Sequence, residues 1–217
     1  MMTDRDAWLS GDPPADPLPP LAAWMREARE APGVVESEAA TLATVDPDGR
    51  PSARVVLLRR LDVAAGCALF YTNRSSRKGL ALTAHPHASL VLYWDSLGRQ
   101  ARIEGPVTLA SDAESDAYFA ARHPDSRIAA AASDQSEAIA SRAELLARFE
   151  AVRRRFGSAD AVPRPPHWGG HRVWIERVEL WASRPHRLHD RFEWRRALTP
   201  EGDGFRAGPW RATRLMP

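Results

Sequence analysis

Two arginines and two histidines fall within six residues near the C-terminal end, in His186-Arg187-Leu188-His189-Asp190-Arg191, with Phe192 and Trp194 behind them. A strand over 187–197 would place Arg187, His189 and Arg191 on one face, by the period of two. Arginine offers a forked, permanently charged donor, and histidine exchanges a proton near neutral pH. Such a face suits a planar anionic ligand. The same pattern also fits a solvated strand face, and this stretch alone does not choose between them.

Phe70-Tyr71-Thr72-Asn73-Arg74-Ser75-Ser76-Arg77-Lys78 is the best phosphate candidate by composition. It runs from an expected strand into a helix N-terminus, where free N–H groups and the dipole favour an anion. Lys78 is the only lysine in the chain, where arginine is otherwise the rule. Arg54 and Arg59 bracket the apolar run 55–58 and could hold the charged ends of an aromatic ligand, or be the solvated tips of a strand. Tyr118, Arg122 and Ser126 recur at a spacing of four; Pro124 breaks the helix, so they are expected at a helix end and the loop after it. They could share one phosphate, although an ordinary helix terminus has the same composition. Gly202-Asp203-Gly204-Phe205-Arg206-Ala207 imitates a dinucleotide fingerprint but lacks the strand and helix that give it meaning. His85 with His87, and His167 with His171, lack cysteine or carboxylate partners at ligand spacing, so no metal is expected. Arg153-Arg154-Arg155 reads as a solvated helix face.

The 217 residues suffice for one domain with a sizeable core. A net charge of +2 is too small to argue for nucleic acid. The single cysteine, Cys67, excludes an internal disulfide. Residues 1–16 carry no apolar run, so neither a signal peptide nor a membrane anchor is expected, and the chain reads as cytoplasmic.

The elements that must position these residues are mostly strands. An irregular arm over 1–19 leads to a helix over 20–31, with Leu21, Trp24, Met25 and Ala28 on one face. Strands are expected over 40–45, 52–60 (buried, with charged ends), 68–72, 88–94 and 100–109, with Asp46-Pro47-Asp48-Gly49 as a turn. Ser75 or Ser76 caps a helix to Thr83. Further helices run over 112–121, to Ala132 from a cap at Asp125 or Ser126, and over 141–156 with Leu145, Leu146, Phe149 and Val152 as its stripe. Strands over 173–181, 187–197 and 210–215 close the chain. The expected class is mainly β with flanking helices (α+β), an antiparallel barrel in a single domain spanning 1–217.

Taken together these blocks resemble the pyridoxamine/pyridoxine 5′-phosphate oxidases, FMN enzymes of the antiparallel split β-barrel fold. The resemblance runs from Asp16 to Pro217. It rests on Arg54-Val55-Val56-Leu57-Leu58, Phe70-Tyr71-Thr72-Asn73 with Ser76-Arg77-Lys78, Gln100, Tyr118-Phe119, Arg122, Asp125-Ser126, Gln135-Ser136, His167-Trp168-Gly169-Gly170, Glu179-Leu180-Trp181 and Arg187-Leu188-His189-Asp190-Arg191. It implies that Arg54, Arg77, Lys78, Gln135 and Ser136 hold FMN, chiefly its phosphate end. Val55, Val56, Leu57, Tyr71, Thr72, Gln100, Trp181 and Arg191 would make the other flavin contacts. Tyr118, Arg122 and Ser126 would cradle the substrate phosphate, with Arg59 where the family has lysine. Arg187 and His189 would lie over the substrate ring as the catalytic pair. The implied reaction converts pyridoxamine or pyridoxine 5′-phosphate to pyridoxal 5′-phosphate, with O2 as acceptor and H2O2 as by-product. The family is a homodimer with each flavin touched by both subunits. Here the chain has Ile128-Ala129-Ala130-Ala131-Ala132 where the family often has Gly-Ala-Trp, and no Arg-x-x-Tyr-like segment stands out in residues 1–11. A related group of FMN oxidases, acting on reduced phenazine precursors, keeps a similar Arg-Leu-His-acid-Arg stretch. A third reading is a flavin- or B6-phosphate-binding protein without turnover.

Overall fold

The computed structural model describes Asp6, Trp8, Leu9 and residues 11–217. The remaining positions of the expected arm, and most of the segment searched for the Arg-x-x-Tyr-like pattern, lie outside the described residues. What is described of the arm is docked. Leu9 is fully buried, and Trp8 packs on Trp24 and Trp194 with ring centroids 6.1 and 6.3 Å apart.

Helix α1 (Leu18–Glu30) starts two residues before the sequence pattern predicts, because Pro19 and Pro20 fit the first turn, where no N–H is needed. Its face of Leu18, Leu21, Trp24, Met25 and Ala28 is buried. β1 (Ala39–Val45) and β2 (Pro51–Leu57) form a hairpin about Asp46-Pro47-Asp48-Gly49, with Gly49 at φ +84°. Then follow β3 (Arg60–Asp62), β4 (Cys67–Asn73), helix α2 (Arg77–Ala84), β5 (His87–Trp94) and β6 (Arg99–Leu109). Helices α3 (Asp112–Ala120), α4 (Pro124–Ala132) and α5 (Arg142–Phe156) come next. β7 (Trp168–Trp174), β8 (Arg177–Ala182), β9 (Asp190–Arg195), β10 (Leu198–Glu201), β11 (Gly204–Ala207) and β12 (Arg211–Arg214) complete the chain.

Ten strands form one antiparallel sheet. Its main path runs β12-β9-β8-β6-β5-β1-β2, while β7 pairs with β6 and β4, and β4 with β3. β6 belongs to both halves: residues 99–104 pair with β8, and 107–109 with β7. The strand bends at Gly105-Pro106, where a Cβ on Gly105 would stand 1.8 Å from the Trp174 carbonyl oxygen. The curled sheet encloses a core that includes Leu42, Leu90, Ile103, Leu180 and Trp194, plugged by α1. A second cluster, Phe119, Ile128, Val162 and Trp168, sits under α3 to α5. No helix among the described residues is long and apolar enough to cross a membrane.

Several expectations need correction. The stretch 52–60 is two strands, not one buried strand. Val55 is 64% exposed, because it lies with its register partner Thr41 on the outer face of the sheet. The 173–181 strand is likewise two, broken at Ile175-Glu176. Helix α4 is capped by His123, whose Nδ1 accepts from the Asp125 N–H at 3.3 Å, with Pro124 filling the first helical position. Ser76 precedes α2, but its hydroxyl bonds the Asn73 carbonyl and does not cap the helix. In α5, Leu145 and Leu146 are exposed, while Phe149 and Val152 pack on the second cluster. The glycine-rich 202–204 run closes the β10–β11 hairpin, in a stretch where the sequence pattern predicts no strand.

The largest correction concerns 187–197. β9 begins only at Asp190, and Arg187 lies in a 3₁₀ turn that starts at Pro185. His186 and Arg187 have φ +60° and +61°, a left-handed pair that ends any strand alternation. Arg187 therefore does not share a strand face with Arg191.

Candidate active site

Two groups of the expected residues assemble at different places. The first gathers at the N-terminus of α2. Arg54 reaches inward from β2; its Nη1 donates to Thr44 Oγ1 at 2.7 Å and its Nη2 to Ser52 Oγ at 2.5 Å. Ser52 Oγ donates to Asp46 Oδ1 at 2.9 Å, and Arg77 Nε donates to Asp46 Oδ2 at 2.9 Å. Lys78 Nζ donates to Thr72 Oγ1 at 3.1 Å, Ser76 Oγ at 3.0 Å and Gln135 Oε1 at 2.8 Å. Ser136, held at φ +80°, accepts the Arg77 N–H on its Oγ at 3.3 Å, the place an anion would take at a helix start. The Lys78 ammonium is buried, and among the described residues its hydrogen-bond partners are all neutral. Burial first, then the neighbouring Arg54 charge, pushes its pKa down to about 8.

Arg54, Arg77 and Lys78 set against the one carboxylate of Asp46 leave two positive charges. A phosphate monoester carries about −1.5 to −2 at pH 7, so the donor set fits one such group. This fit extends to the phosphate end of FMN.

Beside this cluster lies a cleft of about 280 Å³ lined by Tyr71, Thr72, Arg122, Ser126, Gln135 and Trp168, among others. Tyr71 and Tyr118 stack at 3.8 Å, Trp168 lies parallel to both, and the Arg122 guanidinium covers the Trp168 ring. A Cβ on Gly170 would meet the Tyr71 ring at 2.8 Å, so the glycine lets that ring lie flat. Arg122 Nη1 is buried without a hydrogen-bond partner among the described residues. Burial first, and then the Arg59 charge, pulls the Arg122 guanidinium below its ordinary value. Arg59 itself is held by Glu38 at 2.8 Å. Val55, Val56 and Leu57 form the C-terminal end of β2, with Val55 exposed and Val56 packed against the core.

The second group lies on β6, β8 and β9. Gln100, Trp181 and Arg191 are in direct cross-strand register, on the face opposite the buried Ala101, Leu180 and Phe192. Arg191 Nε donates to Glu179 Oε1 at 2.8 Å, and its Nη1 to the Met216 carbonyl at 2.9 Å. Glu179, nearly fully buried, also forms an ion pair with Arg102 at 2.7 Å. The His189 ring lies 4.6 Å from that of Trp181, and its Nδ1 accepts the Arg184 N–H at 3.1 Å. Arg187 is exposed on the same loop. Among the described residues, no hydrogen bond, ion pair or ring contact joins the two groups. By the sheet path β9 stands five strands from β2, roughly 24 Å along the sheet.

Asp46 and Glu179, both buried carboxylates that bind the expected arginines, are not among the residues that the sequence singles out. Asp46 was visible only as a turn residue. Glu179 and Trp168 stood inside quoted motifs without a role, because nothing in a linear pattern shows which guanidinium a residue will meet.

A family described as pyridoxamine 5′-phosphate oxidase matches residues 26–156. The chain belongs to the pyridoxamine 5′-phosphate oxidase family. A second family, described as the pyridoxine 5′-phosphate oxidase C-terminal dimerisation region, matches residues 168–217. Strands from both segments share the ten-stranded sheet. Pyridoxine/pyridoxamine 5′-phosphate oxidase 1 of Ralstonia nicotianae is 50% identical over 202 residues, covering 93% of this chain and 89% of that one. The corresponding oxidase of Rhodospirillum rubrum is 49% identical over 208 residues, covering 93% and 96%. Among solved structures, PhzG of Burkholderia lata 383, in complex with tetrahydrophenazine-1-carboxylic acid, superposes with a TM-score of 0.82 at 32% identity, covering 100% and 98%. A pyridoxamine 5′-phosphate oxidase-related, FMN-binding protein of Nostoc punctiforme has a TM-score of 0.71 at 18% identity, covering 92% and 96%, and shares the fold. The split-barrel architecture of the family is thus the one observed.

Proposed function

We propose that the chain is an FMN-dependent oxidase that converts pyridoxamine or pyridoxine 5′-phosphate to pyridoxal 5′-phosphate, with O2 as acceptor and H2O2 as by-product. The observation that carries this reading is the pair of adjacent anion sites: the Lys78 ammonium among neutral partners, and the buried, unpartnered nitrogen of Arg122 beside a stacked aromatic shelf. One site suits the flavin phosphate and the other the substrate phosphate. Arg54, Arg77, Lys78, Gln135 and Ser136 would hold the first; Tyr118, Arg122, Ser126 and Arg59 the second.

FMN, when bound, would supply the hydride acceptor for the substrate's C4′ carbon and the route for the electrons to O2. The chain's part is placement and electrostatics. Arg187 binds and orients the substrate ring and favours negative charge on the ring oxygen. His189 accepts a hydrogen bond on Nδ1, so the neutral ring carries its proton on Nε2 and meets the substrate as a donor. It orients the ring; the proton given up by the 4′-hydroxyl of pyridoxine phosphate, or by the 4′-amine of pyridoxamine phosphate, goes to water, and water then hydrolyses the imine formed from the amine to the aldehyde and ammonia.

The second group serves a flavin held by the first group of another copy. We infer a cytoplasmic homodimer in which Gln100, Trp181, Arg187, His189 and Arg191 of one subunit complete the site of its partner. The separation of the two groups within one chain and the match of residues 168–217 to a dimerisation region support this.

A second enzyme reading, an FMN oxidase acting on a reduced tricyclic ring, is favoured by the likeness to PhzG. Anaerobic flavin reduction and aerobic peroxide release, measured with pyridoxamine phosphate, pyridoxine phosphate and a dihydrophenazine carboxylate, separate the readings. Reduction by the first two and not the third is expected; the reverse order assigns the second reading, and no reduction by any of them leaves a binding protein.

A further inference from the structure

The cation cluster at α2 contains one carboxylate, and its geometry is not that of a turn residue. The turn around Asp46 is closed by backbone bonds: Gly49 N–H to the Asp46 carbonyl and Asp46 N–H to the Arg50 carbonyl, each 2.8 Å. Among the described residues the Asp46 side chain accepts from no N–H of its own turn. Both carboxylate oxygens point elsewhere. Oδ2 takes Arg77 Nε at 2.9 Å and Nη2 at 2.5 Å; Oδ1 takes Ser52 Oγ at 2.9 Å, which in turn takes Arg54 Nη2 at 2.5 Å.

We propose that Asp46 is a positioning residue for the flavin-phosphate site, fixing the Arg77 guanidinium directly and the Arg54 guanidinium through Ser52. The inference rests on the FMN reading above. Arg77 is 65% exposed in its side chain while Asp46 is 9% exposed, so a mobile cation is tethered to a fixed, buried anchor. Only one edge of the Arg77 fork is used, and Nη1 has no partner among the described residues. The hydrogen bond from Arg77 holds the Asp46 carboxyl below its ordinary range, so it is ionised wherever the protein is folded near neutrality. A repelling anion placed beside a phosphate site is useful only if the order it imposes on two arginines outweighs its charge; an exposed arginine otherwise spends most of its rotamers away from the ligand. Asp46 touches neither flavin nor substrate in this account and acts only through the two arginines.

The test is a double-mutant cycle read by FMN affinity, from quenching of flavin fluorescence, in wild type, Asp46→Asn, Arg77→Ala and the double variant. Asp46→Asn is expected to weaken FMN about tenfold, the lower range for a charge-assisted contact. In the Arg77→Ala background most of that loss should vanish, because the group through which it acts is gone. Asp46→Glu, which keeps the charge, should restore part of it. Unchanged affinity in Asp46→Asn, or an equal loss with and without Arg77, overturns the inference while leaving the FMN reading intact. Failure of the wild type to bind FMN overturns both. If Asp46→Asn does not fold, Ser52→Ala cuts the arm to Arg54 alone, and unchanged affinity there has the same overturning force.

Discussion

The Arg122 guanidinium lies over the Trp168 ring, 4.8 Å from its centroid, with Nη1 buried and unpartnered among the described residues. Trp168 shields one side of the guanidinium from water, while the cleft keeps an open position for an anion. A charge-assisted hydrogen bond to such an anion is worth roughly 1.5–3 kcal/mol. Arg122→Ala should therefore raise the Kd for pyridoxamine phosphate about 10- to 150-fold and leave FMN bound. The check is a substrate titration of the flavin spectrum beside a flavin-retention assay. A phosphate-free natural substrate would show no such loss, so the variant also separates the two enzyme readings.

Lys78 gives a prediction in pH. Its folded pKa of about 8 lies below the ordinary 10.5, so between these values the unfolded chain holds the extra proton. The flavin-free protein should gain stability as pH rises through that window, while FMN affinity falls as the ammonium loses its charge. Lys78→Met should remove both trends. Melting curves and FMN titrations from pH 7 to 10.5 measure them. An FMN affinity that is flat across this range would take Lys78 out of the phosphate site.

His171 sets the acid limit. It is 3% exposed and stacks on Phe70 at 5.2 Å. Burial first, then the Arg74 and Lys78 charges, pushes its pKa down to about 4 from 6.5. The unfolded chain is the one that takes up a proton as pH drops from 6.5 to 4, so folded stability should drain away across that window. Denaturant unfolding at pH 7, 6, 5 and 4 should show a steeper loss in wild type than in His171→Phe. Equal slopes would assign the acid sensitivity to other groups.

The loop 183–189 carries the last prediction. Arg187→Ala should lose both substrate affinity and the single-turnover rate of flavin reduction without O2. His189→Ala should lose mainly affinity, because its Nδ1 is already engaged by the Arg184 N–H. A positioned base contributes about 10²–10⁴-fold, so a rate loss of that size in His189→Ala would return the histidine to the role of base. Arg191→Ala, by contrast, should shed FMN. Unchanged rates and affinities in both Arg187→Ala and His189→Ala would remove this loop from the active site.

The sequence by itself determined most of the elements and which residues are candidates for chemistry. The β-rich runs over 40–45, 88–94 and 100–109, separated by short turns, predict strands, and those strands line the core. The α2 entry, with Arg77 and Lys78 after a serine pair, is legible as an anion-site candidate from residue types alone. Arg122 and Tyr118 are legible as candidates too, beside the reading of an ordinary helix terminus, and the order of motifs points to the family. The tertiary structure decided what local pattern cannot carry. Val55 is exposed because its side of β2 forms the outer face of the sheet, shared with Thr41 across the pairing, a fact of tertiary placement. Arg187 leaves the strand because His186 and it adopt positive φ, which residue types of that kind do not announce. Asp46 reaches Arg77 across 31 positions, and Arg122 meets Trp168 across the α3–β7 packing. The division of the expected site into two groups on separate strands of one chain, and with it the case for a second copy, follows from the path of the sheet, since strands adjacent in sequence need not be adjacent in space.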